Sequence, residues 1–256
     1  MTNAPAAAQA LAVLGLLSRH TEPMPAAAIA RRLGLPRSST YHLLAVLQDH
    51  GYVVHLPEER RYGLGVAAFE LGSAYSRQAP LQRLARPILT RLVDETRHNA
   101  HFVVLHGNDV LYLVEERAPR RPSLVSDVGV RLPAQLTASG LALLAALPAA
   151  QVRALYPSRS SFVRRHETGP TSSTQLRSLL TAVRARGYAV EHGTVTPDLG
   201  SVAAAAVDHA GYPTAAFAVT YEERLVGPSE EATLAEAVVA AAIALSRRIG
   251  GTRMKA

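Results

Sequence analysis

Residues 26–64 read AAAIARRLGLPRSSTYHLLAVLQDHGYVVHLPEERRYGL. The first part, Ala26 to Leu33, predicts a short helix that stops at Gly34. Leu35-Pro36 predicts the start of a second helix, because proline is tolerated in a helical first turn, and Gly51 closes that helix. Upstream, Ala6 to His20 has apolar residues at three- and four-residue spacing, which predicts an amphipathic helix.

Two short strands are predicted after these helices. Tyr52 to Leu56 and Arg61 to Leu64 flank Pro57-Glu58-Glu59-Arg60, a pattern typical of a hairpin with a charged tip. Three helices followed by a hairpin are the order of elements in a winged helix-turn-helix. In that fold the third helix enters a DNA major groove and the wing reaches the backbone or the minor groove.

The predicted third helix has two different faces. At 100° per residue, Leu43, Val46, Leu47 and His50 share the side expected to face the core. The opposite side carries Arg37, Ser38, Tyr41, His42, Ala45 and Gln48.

This outer side has the chemistry of a DNA contact. Hydroxyls and a guanidinium at a helix N-terminus suit phosphate oxygens and base edges. One arginine of Arg31-Arg32 is expected to touch a phosphate, and Arg60 and Arg61 either reach DNA or pair locally with the glutamates of the wing tip. The candidate DNA-contacting residues are Arg31, Arg37, Ser38, Ser39, Tyr41, His42, Arg60 and Arg61.

The rest of the chain predicts a second domain. A helical stretch from Val66 to Arg77 runs towards Pro80, which gives the expected division into a DNA-binding domain at 1–64, a linker helix at 65–79 and a third region at 80–256. That last region mixes helices with strands, including a hairpin around Gly107-Asn108-Asp109, and therefore has an α+β pattern.

Composition limits the chemistry. The chain has no cysteine, so disulfides, thiolate zinc sites and cysteine nucleophiles are excluded. The formal net charge of +7 is compatible with a polyanionic partner. With no apolar run of membrane-spanning length and no signal peptide pattern, a cytoplasmic location without membrane contact is expected, and no cofactor is expected.

Several segments in order resemble the IclR family of bacterial regulators. They are residues 30–39 (ARRLGLPRSS), 43–47, 51–53 (GYV), 61–65 (RYGLG), 85–87 (ARP), 128–133 (VGVRLP), 137–140 (TASG), 186–190 (RGYAV) and 201–204 (SVAA). The resemblance covers nearly the whole chain. It implies a GAF-like C-terminal domain that binds a small organic effector, a homodimer or a tetramer of paired dimers, and double-stranded operator DNA as the partner. The sign of regulation is expected to be repression relieved by the effector.

The resemblance also implies an effector site. Glu191 and Ser201 match an acidic and a polar position of the pocket wall, as acceptor and donor, and residues 137–140 stand at a helix start that suits an anion or is simply capped. The implied effector-binding residues are Thr137, Ala138, Ser139, Gly140, Glu191, Ser201, Ala218 and Thr220.

Three positions depart from the family pattern. His42 stands where arginine is common, Ser201 where the family has cysteine, and Ala218 where relatives often place serine. Thr220 keeps the hydroxyl at the second of those positions. The pocket is therefore expected to be less polar on that wall and to accept a carboxylate or aromatic effector.

Enzymatic interpretations have weaker support. Gly63 to Ala68 formally matches a dinucleotide fingerprint, but the preceding run is not a buried apolar strand and residues 80–90 lack the acidic partner. His98, His101 and His106 could suggest a metal site, but they are interpreted as scattered surface histidines. The competing class is a small-molecule enzyme or binding protein whose N-terminal domain only mediates assembly.

Overall fold

A computed structural model describes residues 4–78, 80–119, 127–165 and 168–251. The chain forms two compact units, Met1–Ala79 and Pro80–Ala256. No helix among these described ranges is long and apolar enough to cross a membrane.

The N-terminal unit contains the predicted helices and hairpin. Its elements are α1 (Pro5–Leu17), α2 (Ala26–Leu33), α3 (Arg37–Asp49), β1 (Val53–Leu56), β2 (Arg61–Leu64) and α4 (Val66–Gln78). The antiparallel β1–β2 pair joins Val53 to Leu64 and Leu56 to Arg61, which makes the predicted wing. Its core includes Val13, Ile29 and Leu44, none of which is exposed.

The inner face of α3 differs from its prediction at Val46 and His50, which are both exposed. Val46, expected in the core, is 51% exposed, whereas Leu44 is fully buried. The buried positions are Thr40, Leu44 and Leu47, which are spaced four and three residues apart. Helix α3 carries apolar residues on two of its sides. The hydrophobic pattern alone therefore predicted a buried side that is rotated by part of a turn from the observed one.

The C-terminal unit is built on a six-stranded antiparallel sheet in the order β5-β4-β3-β8-β7-β6. In chain order its helices and strands are α5 (Pro80–Thr96), β3 (Asn99–His106), β4 (Asp109–Glu116), β5 (Arg131–Pro133), α6 (Ala138–Ala146), α7 (Ala149–Leu155), α8 (Ser173–Arg186), β6 (Ala189–His192), β7 (Leu199–Val207), β8 (Pro213–Glu222) and α9 (Pro228–Arg248). The α+β class predicted from the sequence is confirmed.

Helices cover both faces of this sheet. One core lies against α5 and α9 and includes Phe102 and Phe217, whose rings are 5.2 Å apart. The other core lies against α6 and α8 and includes Val103 and Ala203. Because the sheet is covered on both faces, a polar side chain in the middle of a central strand lies in one of the two layers.

The histidine prediction was wrong for two of three residues. His98 and His101 are 3% and 1% exposed, and only His106 is at the surface. His101 packs edge-on against Tyr112 and its Nε2 lies 3.8 Å from Oε1 of Glu115. The burial of His101 follows from the position of β3 inside a sheet covered on both faces, and His98 immediately precedes that strand. Within the described ranges, no group of three or more candidate ligands could hold a metal ion.

Candidate functional site

The outer face of α3 is largely exposed to solvent in the part of the chain that the structure describes. Arg37, Ser38, Tyr41 and His42 are all exposed, and Tyr41 keeps 55% of its surface in solvent. Ser39, between them, is half-buried. The face therefore presents two basic side chains, a hydroxyl and an aromatic ring beside the helix N-terminus, where backbone N–H groups have no intrahelical partner.

Local chemistry fixes the start of α3. Gly34 adopts a left-handed conformation (φ 65°) that ends α2, and Pro36 precedes the first turn of α3. The Thr40 hydroxyl, fully buried, donates to the Pro36 carbonyl at 3.0 Å. This bond lies within the first turn of α3, and the buried Leu44 and Leu47 hold the inner side of the helix in the core, which leaves Arg37, Ser38, Tyr41 and His42 facing outward.

The candidate arginines fall into two groups. Among the described residues, no hydrogen bond or ion pair engages the guanidinium of Arg31, Arg37 or Arg60. Arg61 is different, because it donates to the Pro23 carbonyl at 3.0 Å and lies 3.8 Å from Glu22. Arg61 therefore stabilises its own domain, and its local acidic partner is Glu22 rather than a wing-tip glutamate.

In the C-terminal unit, most of the predicted effector residues line one small cavity, which we call the inner cavity. Its lining comprises Tyr112, Thr137, Ala138, Ser139, Glu191, Val195, Thr196, Leu199, Ser201, Ala218 and Thr220. Gly140 is the only member of the predicted set that does not line it. Strands β6, β7 and β8 form one wall, and the start of α6 forms another.

Strand register explains why three polar residues meet at this wall. Glu191 on β6 pairs with Ser201 on β7, and Ser201 pairs with Thr220 on β8. The three side chains form a row across the sheet, and the Ser201 and Thr220 hydroxyls are 3.1 Å apart. The row offers one carboxyl and two hydroxyls to a bound molecule.

The start of α6 forms the facing wall. Thr137 is the N-cap, and its Oγ1 accepts a hydrogen bond from the Gly140 N–H at 2.9 Å. A Cβ on Gly140 would lie 2.1 Å from the Ala134 carbonyl oxygen, so glycine is required by the close approach of that backbone. Gly140 thus has a structural role, while Ala138 and Ser139 bring the first helical turn to the cavity.

Glu191 is the buried ionisable group of the cavity. Burial raises the pKa of its carboxyl, although contacts from Thr194 and Ser201 and the charge of His192 partly oppose that rise. Its Oε2 is 2.5 Å from Thr194 Oγ1, which also lies 2.6 Å from the Leu136 carbonyl oxygen. A hydroxyl has one hydrogen, so both short contacts are hydrogen bonds only when Glu191 carries a proton. Burial thus shifts the equilibrium of this carboxyl towards its neutral form relative to an exposed glutamate.

The inner cavity is small in this structure, with a volume of about 30 Å³. That is room for roughly two water molecules. An organic acid larger than this enters only if side chains of the lining move.

Four lining residues were absent from the predicted set: Tyr112, Val195, Thr196 and Leu199. Tyr112 is buried, and burial followed by the nearby Glu191 charge raises the pKa of its phenol. It reaches the site from β4, so only the strand register brings it near Glu191. The other three lie between Glu191 and Ser201, and the length of that connection was the available signal for a loop folded over the site.

A winged helix-turn-helix with a free outer face, together with an α+β unit that encloses a polar cavity, defines the class of DNA-binding regulators with a ligand-binding domain. Family models agree with this class. The IclR helix-turn-helix domain matches residues 6–57, and the bacterial transcriptional regulator IclR C-terminal domain matches residues 73–247. The chain belongs to the IclR family of transcriptional regulators, which are not enzymes.

Individual relatives extend over most of the chain. The glycerol operon regulatory protein of Streptomyces coelicolor is 31% identical over 247 residues, covering 96% of both chains. The acetate operon repressor of Salmonella typhimurium is 26% identical, covering 88% of this chain and 82% of its own.

Solved structures show the same fold. An IclR regulator from Alicyclobacillus acidocaldarius has a TM-score of 0.84 and 25% identity, covering 98% of this chain and all of its own. An IclR homologue from Microbacterium hydrocarbonoxydans, solved as a complex with 4-hydroxybenzoate, has a TM-score of 0.77 and 24% identity, covering 95% and 98%.

Proposed function

We propose that this regulator is a repressor whose operator binding is weakened when a small organic effector occupies the inner cavity. The effector is a carboxylic acid or an aromatic compound. A ligand changes DNA affinity only if it binds the DNA-competent and DNA-incompetent arrangements with different affinities. The proposal therefore requires one site for DNA and a separate site for the effector, with a free energy of coupling between them.

The observation that carries the effector site is the cross-strand row of Glu191, Ser201 and Thr220 facing the first turn of α6. Buried polar groups are costly unless they are paired, and here they converge on an enclosed space. The 4-hydroxybenzoate complex of the Microbacterium homologue supports an aromatic acid as the type of ligand. The acetate operon repressor among the relatives supports repression as the sign of regulation.

On the DNA side, the proposal assigns the contacts to the outer face of α3 and to the wing. Arg37, Ser38, Ser39, Tyr41 and His42 contact phosphates and base edges in the major groove. Arg31 and Arg60 add phosphate contacts. Arg61 contributes least, because its guanidinium is already held by Pro23 and Glu22.

The proposal also assigns a homodimer, or a pair of dimers, as the active form. Helix α4 exposes Val66, Phe69 and Leu71, with 67%, 75% and 61% of their surfaces in solvent. Large apolar side chains concentrated on one helix are typical of a surface that a partner covers. Two copies would place two α3 helices in successive major grooves of a near-palindromic operator.

The test is a DNA-binding assay of the full-length protein on its own upstream region, titrated with small organic acids and aromatics that include 4-hydroxybenzoate. Release of a sequence-specific complex by one compound supports the proposal. Specific DNA binding that no compound alters counts against the sensor assignment.

The effector site is tested with the compound that releases DNA. Ser201→Leu fills the inner cavity and is expected to abolish release while leaving operator affinity within about twofold. Ser229→Leu, at the exposed start of α9, is the matched control. An unchanged response in Ser201→Leu removes Ser201 from the effector site.

A further inference from the structure

A second, larger cavity lies next to the inner cavity. This outer cavity has a volume of about 520 Å³, and its lining includes Leu136, Leu141, Leu179, Glu191 and Thr194. Glu191 is the one residue that lines both cavities. The outer cavity also has room for an aromatic ring or an alkyl chain, which the inner cavity lacks.

Among the described residues, a hydrogen-bonded bridge lies beside Glu191, the residue that the two cavities share. Thr194 donates its hydroxyl to the Leu136 carbonyl at 2.6 Å and contacts Glu191 Oε2 at 2.5 Å. The Thr194 N–H donates to the same Oε2 at 3.1 Å. The bridge thus ties the segment after β6 to the backbone just before α6.

Glycine at position 169 lets the chain lie directly over this bridge. Gly169 has a φ of +96°, and a Cβ there would meet Leu136 Cδ2 at 2.5 Å and Thr194 Cγ2 at 4.0 Å. The segment that precedes α8 therefore packs against Leu136 and Thr194 from the outer side.

The two cavities differ in chemistry. The inner one presents a carboxyl and hydroxyls, whereas the outer one combines three leucines, Leu136, Leu141 and Leu179, with polar side chains that include Gln135 and His192. A molecule that occupied both would have a polar head and an apolar body of several carbons. A head group alone would leave the bridge intact.

We propose that the bridge between Thr194, Glu191 and Leu136 divides one composite effector site, and that the outer cavity is the subsite for the apolar body of a monocarboxylic acid. Thr194 is a positioning and specificity-determining residue, because its hydroxyl holds the division closed. Effectors long enough to occupy both subsites must displace this hydroxyl. The inference rests on the proposed function only in taking the inner cavity as the effector site.

The first test measures access to the inner cavity without any effector. The chain contains no cysteine, so Ser201→Cys supplies a single thiol in that cavity. Full-length Ser201→Cys is reacted with methyl methanethiosulfonate and with the larger benzyl methanethiosulfonate. Labelling rates are compared in backgrounds that carry Thr194, Thr194→Val or Thr194→Ser.

Removing the hydroxyl is expected to raise the rate of benzyl labelling about tenfold, because two hydrogen bonds of the closed state are lost. Thr194→Ser keeps the hydroxyl and should retain the rate of the parent. Thr181→Val removes a similar hydroxyl, which donates to the Arg177 carbonyl on the exposed side of α8, and should change nothing. Equal benzyl rates in the Thr194→Val and Thr194→Ser backgrounds would overturn the proposal. If Thr194→Val does not fold, Thr194→Ala takes its place.

The second test uses straight-chain monocarboxylates from acetate to octanoate as probes of operator release. Thr194→Val is expected to lower the concentration needed for release about tenfold for the long acids and not for acetate. An equal change at every chain length contradicts the outer subsite. If benzyl labelling is faster but no acid releases the operator DNA, the result supports the divided site and refutes the proposed sensing of carboxylates. If the acids release the operator DNA but the rate of benzyl labelling is unchanged, the result supports the sensor function and refutes the proposed role of the bridge.

Discussion

The DNA-binding surface and the inner cavity are assembled over very different distances in the sequence. Most of the surface comes from consecutive residues, Arg37 to His42, on one exposed helix face. The cavity instead takes residues from Tyr112 on β4 to Thr220 on β8, brought together by strand pairing. A substitution in the DNA-binding surface therefore removes one contact at a time, whereas the inner cavity depends on the backbone of the whole C-terminal unit.

The largest expected effect tests that dependence. Gly140→Ala places a Cβ 2.1 Å from the Ala134 carbonyl oxygen, and neither backbone segment can move without disturbing the start of α6. We expect the C-terminal unit to lose about 3 kcal/mol or more of unfolding free energy. Chemical denaturation followed by near-ultraviolet circular dichroism measures the loss.

The control for this change is Gly72→Ala in α4, where an added Cβ has no neighbour within 4 Å. That variant should stay within about 1 kcal/mol of the parent. Equal stabilities of the two variants would show that the cavity tolerates backbone adjustment as well as an exposed helix does.

Arg37→Ala tests the DNA-binding surface. Its guanidinium is exposed and has no partner among the described residues, so its removal should leave the fold intact. Operator affinity should fall about 10- to 100-fold, the usual range for losing a base or phosphate contact, while effector binding is unchanged. Fluorescence anisotropy with labelled operator DNA measures the affinity. Arg177→Ala, on the exposed side of α8, is the control, and equal affinities of the two variants would remove α3 from the DNA contact.

The same contrast explains which features were predictable from the sequence. The winged helix-turn-helix was predicted because its helices, turns and hairpin each leave a local pattern. One error within α3, the placement of Val46 inside, came from an apolar residue on a helix side that the tertiary packing leaves open. The wing arginines could not be ranked, because the contact of Arg61 with Pro23 joins residues far apart in the chain.

The cavity was predictable only where the family resemblance reached it. Residues 137–139, Glu191, Ser201, Ala218 and Thr220 do line it, but Tyr112 and Thr196 were not identified. Their positions follow from the register of β4 and from the path of the chain between β6 and β7, neither of which leaves a periodic signal. Burial of His101 was missed for the same reason, since the order of strands decides which strand lies inside.

A smaller effect separates the two wing arginines. Arg60→Ala should reduce the slope of log affinity against log salt by about 1, as expected for one lost phosphate contact, with no change in stability. Arg61→Ala should leave the slope unchanged and cost up to about 1 kcal/mol of stability, because it removes the bond to Pro23. Operator titrations at several salt concentrations, with thermal unfolding of each variant, make the comparison. If Arg61→Ala reduced the slope and Arg60→Ala did not, the phosphate contact would belong to Arg61 rather than to Arg60.

The smallest expected effect concerns the charge of Glu191. Burial raises its pKa in the folded protein above the ordinary value of 4.5, with Thr194, Ser201 and His192 opposing the rise. Below that ordinary value the carboxyl is protonated in both folded and unfolded chains and does not affect stability. As the pH rises through the folded pKa, the unfolded state is favoured, because only there is the carboxylate fully hydrated.

Glu191→Gln keeps a donor for Thr194 and removes this dependence. Its melting temperature relative to the parent should therefore increase as the pH rises above 4.5, and level off once the pH has passed the folded pKa. Glu236→Gln, on the exposed side of α9, controls for the loss of one negative charge. A difference that is the same at every pH would mean that the carboxylate of Glu191 is as well stabilised in the cavity as in water, and that the closed site already accepts a charge.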